Sequence, residues 1–179
     1  MHGTLDGTAA AVRRHPAGQR GGGKGPVADV TTRDFPPLDD ATANRIRDSI
    51  GRQTLLTTLG VAVAEVASGR VMLDLPYRED LCQQNGYLHA GAITAVADSA
   101  CGYAAATLMP AGRDVLTVEF KVNLLAPARG DRFRATGEVV RAGRTLTVCS
   151  AQVTAWADGA QHIPVALMQA TMIAVAPRR

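Results

Sequence analysis

Apolar and polar positions fall into three regimes along the chain. Residues 1–36 show neither the 3.6-residue nor the two-residue recurrence that marks helices and strands. From residue 39 the recurrence becomes helical: Ile46, Ile50 and Leu55 form one apolar stripe, with Asp40 placed to cap the start. Two β-rich runs follow, Gly60 to Val66 and Val71 to Pro76, around the turn Ala67-Ser68-Gly69-Arg70, which predicts a hairpin. The segment from His89 to Leu108 is Ala-rich, long and almost uniformly apolar, so it predicts the main helix. Beyond Pro110-Ala111-Gly112 the chain alternates. Leu116, Val118, Phe120, Val122 and Leu124 point one way, and Thr117, Glu119, Lys121 and Asn123 the other. Turn signals at Pro127-Ala128-Arg129-Gly130, Ala142-Gly143 and Asp158-Gly159 separate that strand from three more at 132–141, 145–157 and 162–175. The last four strands therefore read as an antiparallel meander. Hairpin, long helix and meander make an α+β domain of about six strands whose sheet must bury one face on the helix.

Composition narrows this picture. With 179 residues there is room for one ordinary domain, expected at 37–179, preceded by a disordered tail at 1–36 rich in Gly, Ala, Arg and Pro. The chain is 46% hydrophobic but only 4% aromatic, so small aliphatics must fill the interior and backbones must approach closely. A net charge of +3, with no basic patch interleaved with aromatics after Pro37, argues against a nucleic-acid partner. Cys82, Cys101 and Cys149 lie far apart in apolar runs and form no CxxC, which suits a reducing compartment. No apolar run reaches the ~18 residues of a membrane span, and no apolar secretory core follows Met1, so the cytoplasm is the expected location. His2, His15, His89 and His162 are scattered without ligand spacing, so neither a metal nor another cofactor is expected.

One residue stands against the pattern. Between His89 and Met109 the single formally charged side chain is Asp98. Burying a lone carboxylate costs several kcal/mol unless it is paired, hydrogen-bonded or protonated. Asp98 is also too far from the helix start to complement the dipole. It reads either as a general base or nucleophile tuned by desolvation, or as a structural acid bonded to Ser99, Thr94 or a neighbouring chain's backbone, or as a residue simply lying on an exposed strip. The helix entrance, Gln83-Gln84-Asn85-Gly86-Tyr87-Leu88-His89-Ala90-Gly91, adds amides, a histidine and glycines around free backbone N–H groups, a setting suited to a developing oxyanion. Gln84 or Asn85 could orient a carbonyl or a water there, while His89 reads first as a helix cap.

His89-Ala90-Gly91 followed by Ala97-Asp98-Ser99-Ala100 resembles the His-Gly-Gly…Ala-Asp-(Thr/Ser)-Ala signature of the phenylacetic-acid-degradation-type thioesterases, a hotdog-fold family. The likeness continues through residues 116–125 and Gly143-Arg144-Thr145-Leu146, and covers roughly Ile46 to Ala174. It implies a long central helix wrapped by the antiparallel sheet, and homodimers or dimers of dimers (a homotetramer) with the site at a subunit interface. It also implies hydrolysis of an acyl-CoA. In that reading Asp98 faces the partner's helix N-terminus and attacks the thioester or activates water, and Ala90 and Gly91 supply oxyanion-hole N–H groups. Arg144 and Arg129 are candidate coenzyme A phosphate contacts. The chain departs from the signature in having Ala90 for the second glycine, and its amides sit nearer the histidine, so Asn85, Gln84 and Gln83 all remain candidates for orienting the thioester. Apolar pocket candidates Tyr87, Leu88, Tyr103, Leu108 and Met109 suit a medium-chain or aromatic acyl group. The alternatives are a non-catalytic acyl-CoA-binding protein of the same fold and, ranked below it, a hydratase.

Overall fold

The computed structural model describes residues 35–158 and 160–177, and for residues 161 and 162 the backbone alone. The tail expected at 1–36 lies outside the described residues apart from Phe35 and Pro36. Phe35 already packs on the core, its ring lying against Gly69, whose φ of +69° and missing side chain together admit it.

The first helix, α1, spans Asp40–Arg52 and buries Ile46 and Ile50. Its cap is Asp39 rather than Asp40: Asp39 Oδ1 accepts from the Thr42 N–H at 2.6 Å. The helix does not run on to Leu55. It stops at Gln53, which is extended, and a second short helix, α2 (Thr54–Leu59), buries Leu56 and Leu59 and leaves Leu55 half exposed. The hairpin forms as expected from β1 (Ala62–Ala67) and β2 (Arg70–Pro76), and a 3-10 turn at Glu79–Leu81 leads towards α3, Ala90–Ala106. Four strands follow: β3 (Asp114–Leu124), β4 (Arg132–Ala142), β5 (Leu146–Ala157) and β6 (Ala160–Val175).

All six strands make one antiparallel sheet in the order β1-β2-β4-β5-β6-β3. Only β4-β5-β6 form a meander. β3 does not pair with β4; it closes the far edge against β6, and residues 125–131 carry the chain from there to β2's side, so the Pro127–Gly130 signal marks a crossover rather than a hairpin turn. The reason is that β2 already offers β4 a full seven-residue register, Arg70↔Glu138 to Pro76↔Arg132.

The alternation expected along β3 is also broken. Val122 and Phe120 pair with Met168 and Ala170 on the face turned to the helix, but the register then shifts between Glu119 and Thr117, so Thr117 pairs with buried Met172 and Leu116 with Ile173 on the outer face. A bulge at Val118 thus turns Leu116 outwards and Thr117 inwards.

The helix α3 lies across the concave face and packs most closely on β4. Ala97, Ala100, Cys101, Ala104 and Ala105 are fully buried there. The small residues let helix and strand backbones touch: a Cβ on Gly137 of β4 would overlap the Ala100 carbonyl. Buried Thr107 ties the helix end to the hairpin, accepting from the Gly69 N–H at 2.8 Å and donating to the Ala104 carbonyl at 2.7 Å. The arrangement is the hotdog fold, an α+β architecture with the long helix wrapped by six strands.

Candidate active site

Asp98 faces a gap bordered by the end of α1 and the edge strand β3. Its carboxyl is half-buried and borders a cavity of about 290 Å³ lined also by Ser49, Gln53, Tyr103, Asp114 and Thr117. Its partner is neither Ser99 nor Thr94 but Thr117, whose Oγ1 donates to Asp98 Oδ1 at 2.8 Å. Burial pushes the Asp98 pKa above its ordinary value, and the Thr117 hydrogen bond opposes the shift without cancelling it. A carboxylate in that state binds a proton more readily than an exposed aspartate, as a general base must. Thr117 is the site residue that the pattern of the strand concealed: strict alternation points it away from the helix. The Gln53 side-chain oxygen, in the same cavity, is buried and has no hydrogen-bond partner among the described residues.

At the start of the helix His89 is the N-cap, and its Nδ1 accepts from the Gly91 N–H at 2.8 Å. That bond requires Nδ1 to be unprotonated, which puts the proton of the neutral ring on Nε2. The Gly91 amide is therefore already engaged. The Ala90 N–H has no acceptor among the described residues. Ala90 opens onto a second cavity, of about 500 Å³, whose walls include Leu88, Ile93, Leu124, Leu125 and Val165. Of the three candidate amides only Gln83 lines this cavity; Gln84 and Asn85 are exposed on the loop, and the Asn85 N–H donates to Gln83 Oε1 at 2.6 Å.

Tyr87 forms part of the rim of the same cavity. Arg129 lies over its ring at 4.8 Å and donates from Nη2 to its hydroxyl at 2.6 Å, so this arginine is held by an aromatic rather than by a surface carboxylate. Arg144 is exposed in the β4–β5 turn. Of the other apolar candidates, Leu88 lines the 500 Å³ cavity and Tyr103 the Asp98 cavity, while Leu108 and Met109 pack against the core.

Asp98 lies eight positions beyond Ala90 along the helix, a rise of about 12 Å. Each opens into its own cavity. Within a single chain the Asp98 carboxyl and the Ala90 N–H therefore lie apart along the helix. Cys101 and Cys149 are buried free thiols whose pKa values burial raises, so they pack as small hydrophobes. Among the described residues no three His, Cys, Asp or Glu side chains gather as a metal site, and no helix is long and apolar enough to cross a membrane.

Comparison with known proteins decides the family. Residues 85–159, from the helix entrance to just past β5, match the thioesterase superfamily. A Halobacterium salinarum protein classed by name as an esterase is 35% identical over 131 residues, spanning 70% of this chain and 85% of its own. The chain belongs to the thioesterase superfamily. It is a thioester hydrolase, and the resemblance in its helix motif is borne out at the level of superfamily and fold. A crystal structure of a thioesterase family protein from Silicibacter pomeroyi superposes with a TM-score of 0.73 at 49% identity, covering 76% of this chain and 99% of that one. The 1,4-dihydroxy-2-naphthoyl-CoA hydrolase of Listeria monocytogenes is 28% identical over 100 residues, 56% of this chain and 81% of its own.

Proposed function

We propose that this thioesterase hydrolyses acyl-CoA esters with a medium-chain or aromatic acyl group, and that Asp98 is its base or nucleophile. The observation that carries the reading is the half-buried Asp98 carboxylate, the one charged side chain of an otherwise apolar helix, open to a cavity and held through one oxygen only. The free Ala90 N–H at the positive end of the helix dipole is the oxyanion donor. Gly91 joins it when His89 gives up the amide it now caps. Gln83, with Asn85 and Gln84 behind it on the loop, supplies the amide that orients the thioester.

In this reading the general-base route proceeds in two steps. Asp98 takes a proton from water as the oxygen attacks the carbonyl carbon and negative charge collects on the carbonyl oxygen at Ala90. Collapse of the tetrahedral species then breaks the C–S bond, and the proton passes from Asp98 to the departing thiolate. The nucleophilic route differs only in that the carboxylate attacks first and the resulting anhydride is hydrolysed.

The 12 Å separation implies that the two halves of the site come from two copies of the chain. The far edge of the sheet supports a homodimer, and leaves room for a dimer of dimers. β3 has a free edge, and Leu116, Val118, Phe120, Leu124 and Leu125 on and beside it are each at least 44% exposed, a combination an isolated soluble edge strand does not tolerate well. The apolar walls of the 500 Å³ cavity support an uncharged acyl group. Exposed Arg144, and Arg129 at the rim, are the cations offered to the coenzyme A phosphates. The domain at 37–179, which begins in practice at Phe35, carries the whole activity; a cytoplasmic setting suits its free thiols.

The test is thiol release from short, medium, long and aromatic acyl-CoA esters by wild type and Asp98→Asn, alongside sedimentation. Turnover lost in the variant with assembly intact supports the reading. Wild-type binding without turnover would favour the non-catalytic alternative, and an active monomer would remove the shared site.

A further inference from the structure

We infer that Thr117 is a positioning residue for hydrolysis: its hydroxyl, swung to the helix by the bulge at Val118, holds one Asp98 oxygen and leaves the other to act. The inference rests on Asp98 being the base or nucleophile, and extends it to a strand residue outside the helix motif.

Three observations carry it. First, the pairing of Val122 with Met168 and Phe120 with Ala170 sets the inward face of β3, and unbroken alternation would bring Val118, not Thr117, opposite Met172. The extra residue at the bulge reverses this, and bulges of this kind commonly re-aim a side chain beside a site. Secondly, Thr117 Oγ1 lies 2.8 Å from Asp98 Oδ1 and 3.5 Å from Met172 Sδ. A hydroxyl has one proton to give, and a charged carboxylate outbids a thioether for it. Thirdly, no other side chain among the described residues hydrogen-bonds Asp98. The remaining polar groups of its cavity are Ser49 and Gln53 from the first helix and its end, Asp114 from β3, and Ser99 and Tyr103 from its own helix, with the buried Cys101 thiol behind. Thr117 is thus the fixed donor that keeps the carboxylate oriented and ionised against the burial that favours its protonated form.

The experiment measures kcat and KM across pH for wild type, Thr117→Val, Thr117→Ser and Asp98→Asn on one acyl-CoA. Valine keeps the shape of threonine and removes the donor. Thr117→Val is expected to lower kcat roughly tenfold with little change in KM, the scale of one hydrogen bond to a charged group. Loss of a bond that favours the charged form raises the pKa of Asp98, so the acid limb of the profile moves to higher pH. Thr117→Ser restores both to within about twofold of wild type, since it restores the one hydrogen bond at issue. A Thr117→Val enzyme with wild-type kcat and an unmoved acid limb, beside an inactive Asp98→Asn, overturns the role of Thr117 and leaves Asp98 standing. Equal losses in the valine and serine variants with the limb unmoved indicate a structural role and overturn it too. Full activity in Asp98→Asn removes the base itself and the inference with it. If Thr117→Val does not assemble, Thr117→Ala is read in the same way.

Discussion

Two faces of the same helix follow opposite rules. On the inward face of α3, Ala97, Ala100, Cys101, Ala104 and Ala105 are fully buried, and the helix presses on β4 so closely that strand residue 137 must be glycine. At Asp98 and at the Ala90 entrance the same helix leaves polar groups beside open cavities, with a carboxylate held by one bond and an amide N–H free. The packed face is saturated and tolerates nothing new. The cavity-facing side is under-satisfied, with a carboxylate held by one hydrogen bond and a backbone N–H that has no acceptor among the described residues. The contrast shows how one helix can be the centre of a core on one face and border cavities on another.

The largest effect expected from breaking this contrast is on the working side. Asp98→Asn should lower thioester hydrolysis by roughly 10²–10⁴-fold, the usual contribution of a positioned base, measured as thiol release under saturating substrate. A variant within tenfold of wild type would show that Asp98 is structural. On the packed side, Gly137→Ala should destabilise the fold by about 3 kcal/mol in urea titration, because its methyl group lands on the Ala100 carbonyl and the helix must lift. A loss below about 1 kcal/mol, less than overpacking normally costs, would mean that the contact is soft.

Smaller effects sharpen the picture at the entrance. Ala126, on the crossover after β3, lines the cavity beside Ala90, so Ala126→Phe should cut long-acyl turnover relative to short by about tenfold, a difference of one or two methylenes of pocket depth. Unchanged chain-length preference would place the acyl group elsewhere. His89→Ala removes the cap on the Gly91 N–H and should cost about 1 kcal/mol of stability while freeing that amide for the oxyanion.

Stability against pH gives the subtlest test. The folded-state pKa of Asp98 is raised, so the native state binds its proton more tightly than the unfolded chain does. The contribution of Asp98 to stability is therefore greatest below the unfolded value near 3.8 and is lost as pH rises through the folded value. Asp98→Asn should consequently have a higher Tm than wild type at neutral pH, and the two should converge towards pH 4; a lower Tm at neutral pH would show that the carboxylate stabilises the fold.

Local periodicity by itself determined the hairpin, the long helix, the number of strands and the anomaly of Asp98, because each is written in spacing over fewer than about twenty residues. The family resemblance followed from the same short-range signal, His89-Ala90-Gly91 and Ala97-Asp98-Ser99. Long-range pairing escaped it. That β3 joins β6 rather than β4 depends on β2 occupying the β4 edge, a competition between segments some sixty residues apart. Thr117 escaped for a related reason: a bulge is decided by how β3 fits against β6, and a one-residue slip exchanges the faces of everything beyond it. That His89 caps the helix was legible in the sequence and holds; the choice of Gln83 over Gln84 and Asn85 to line the cavity was settled by side-chain geometry that only the folded chain possesses.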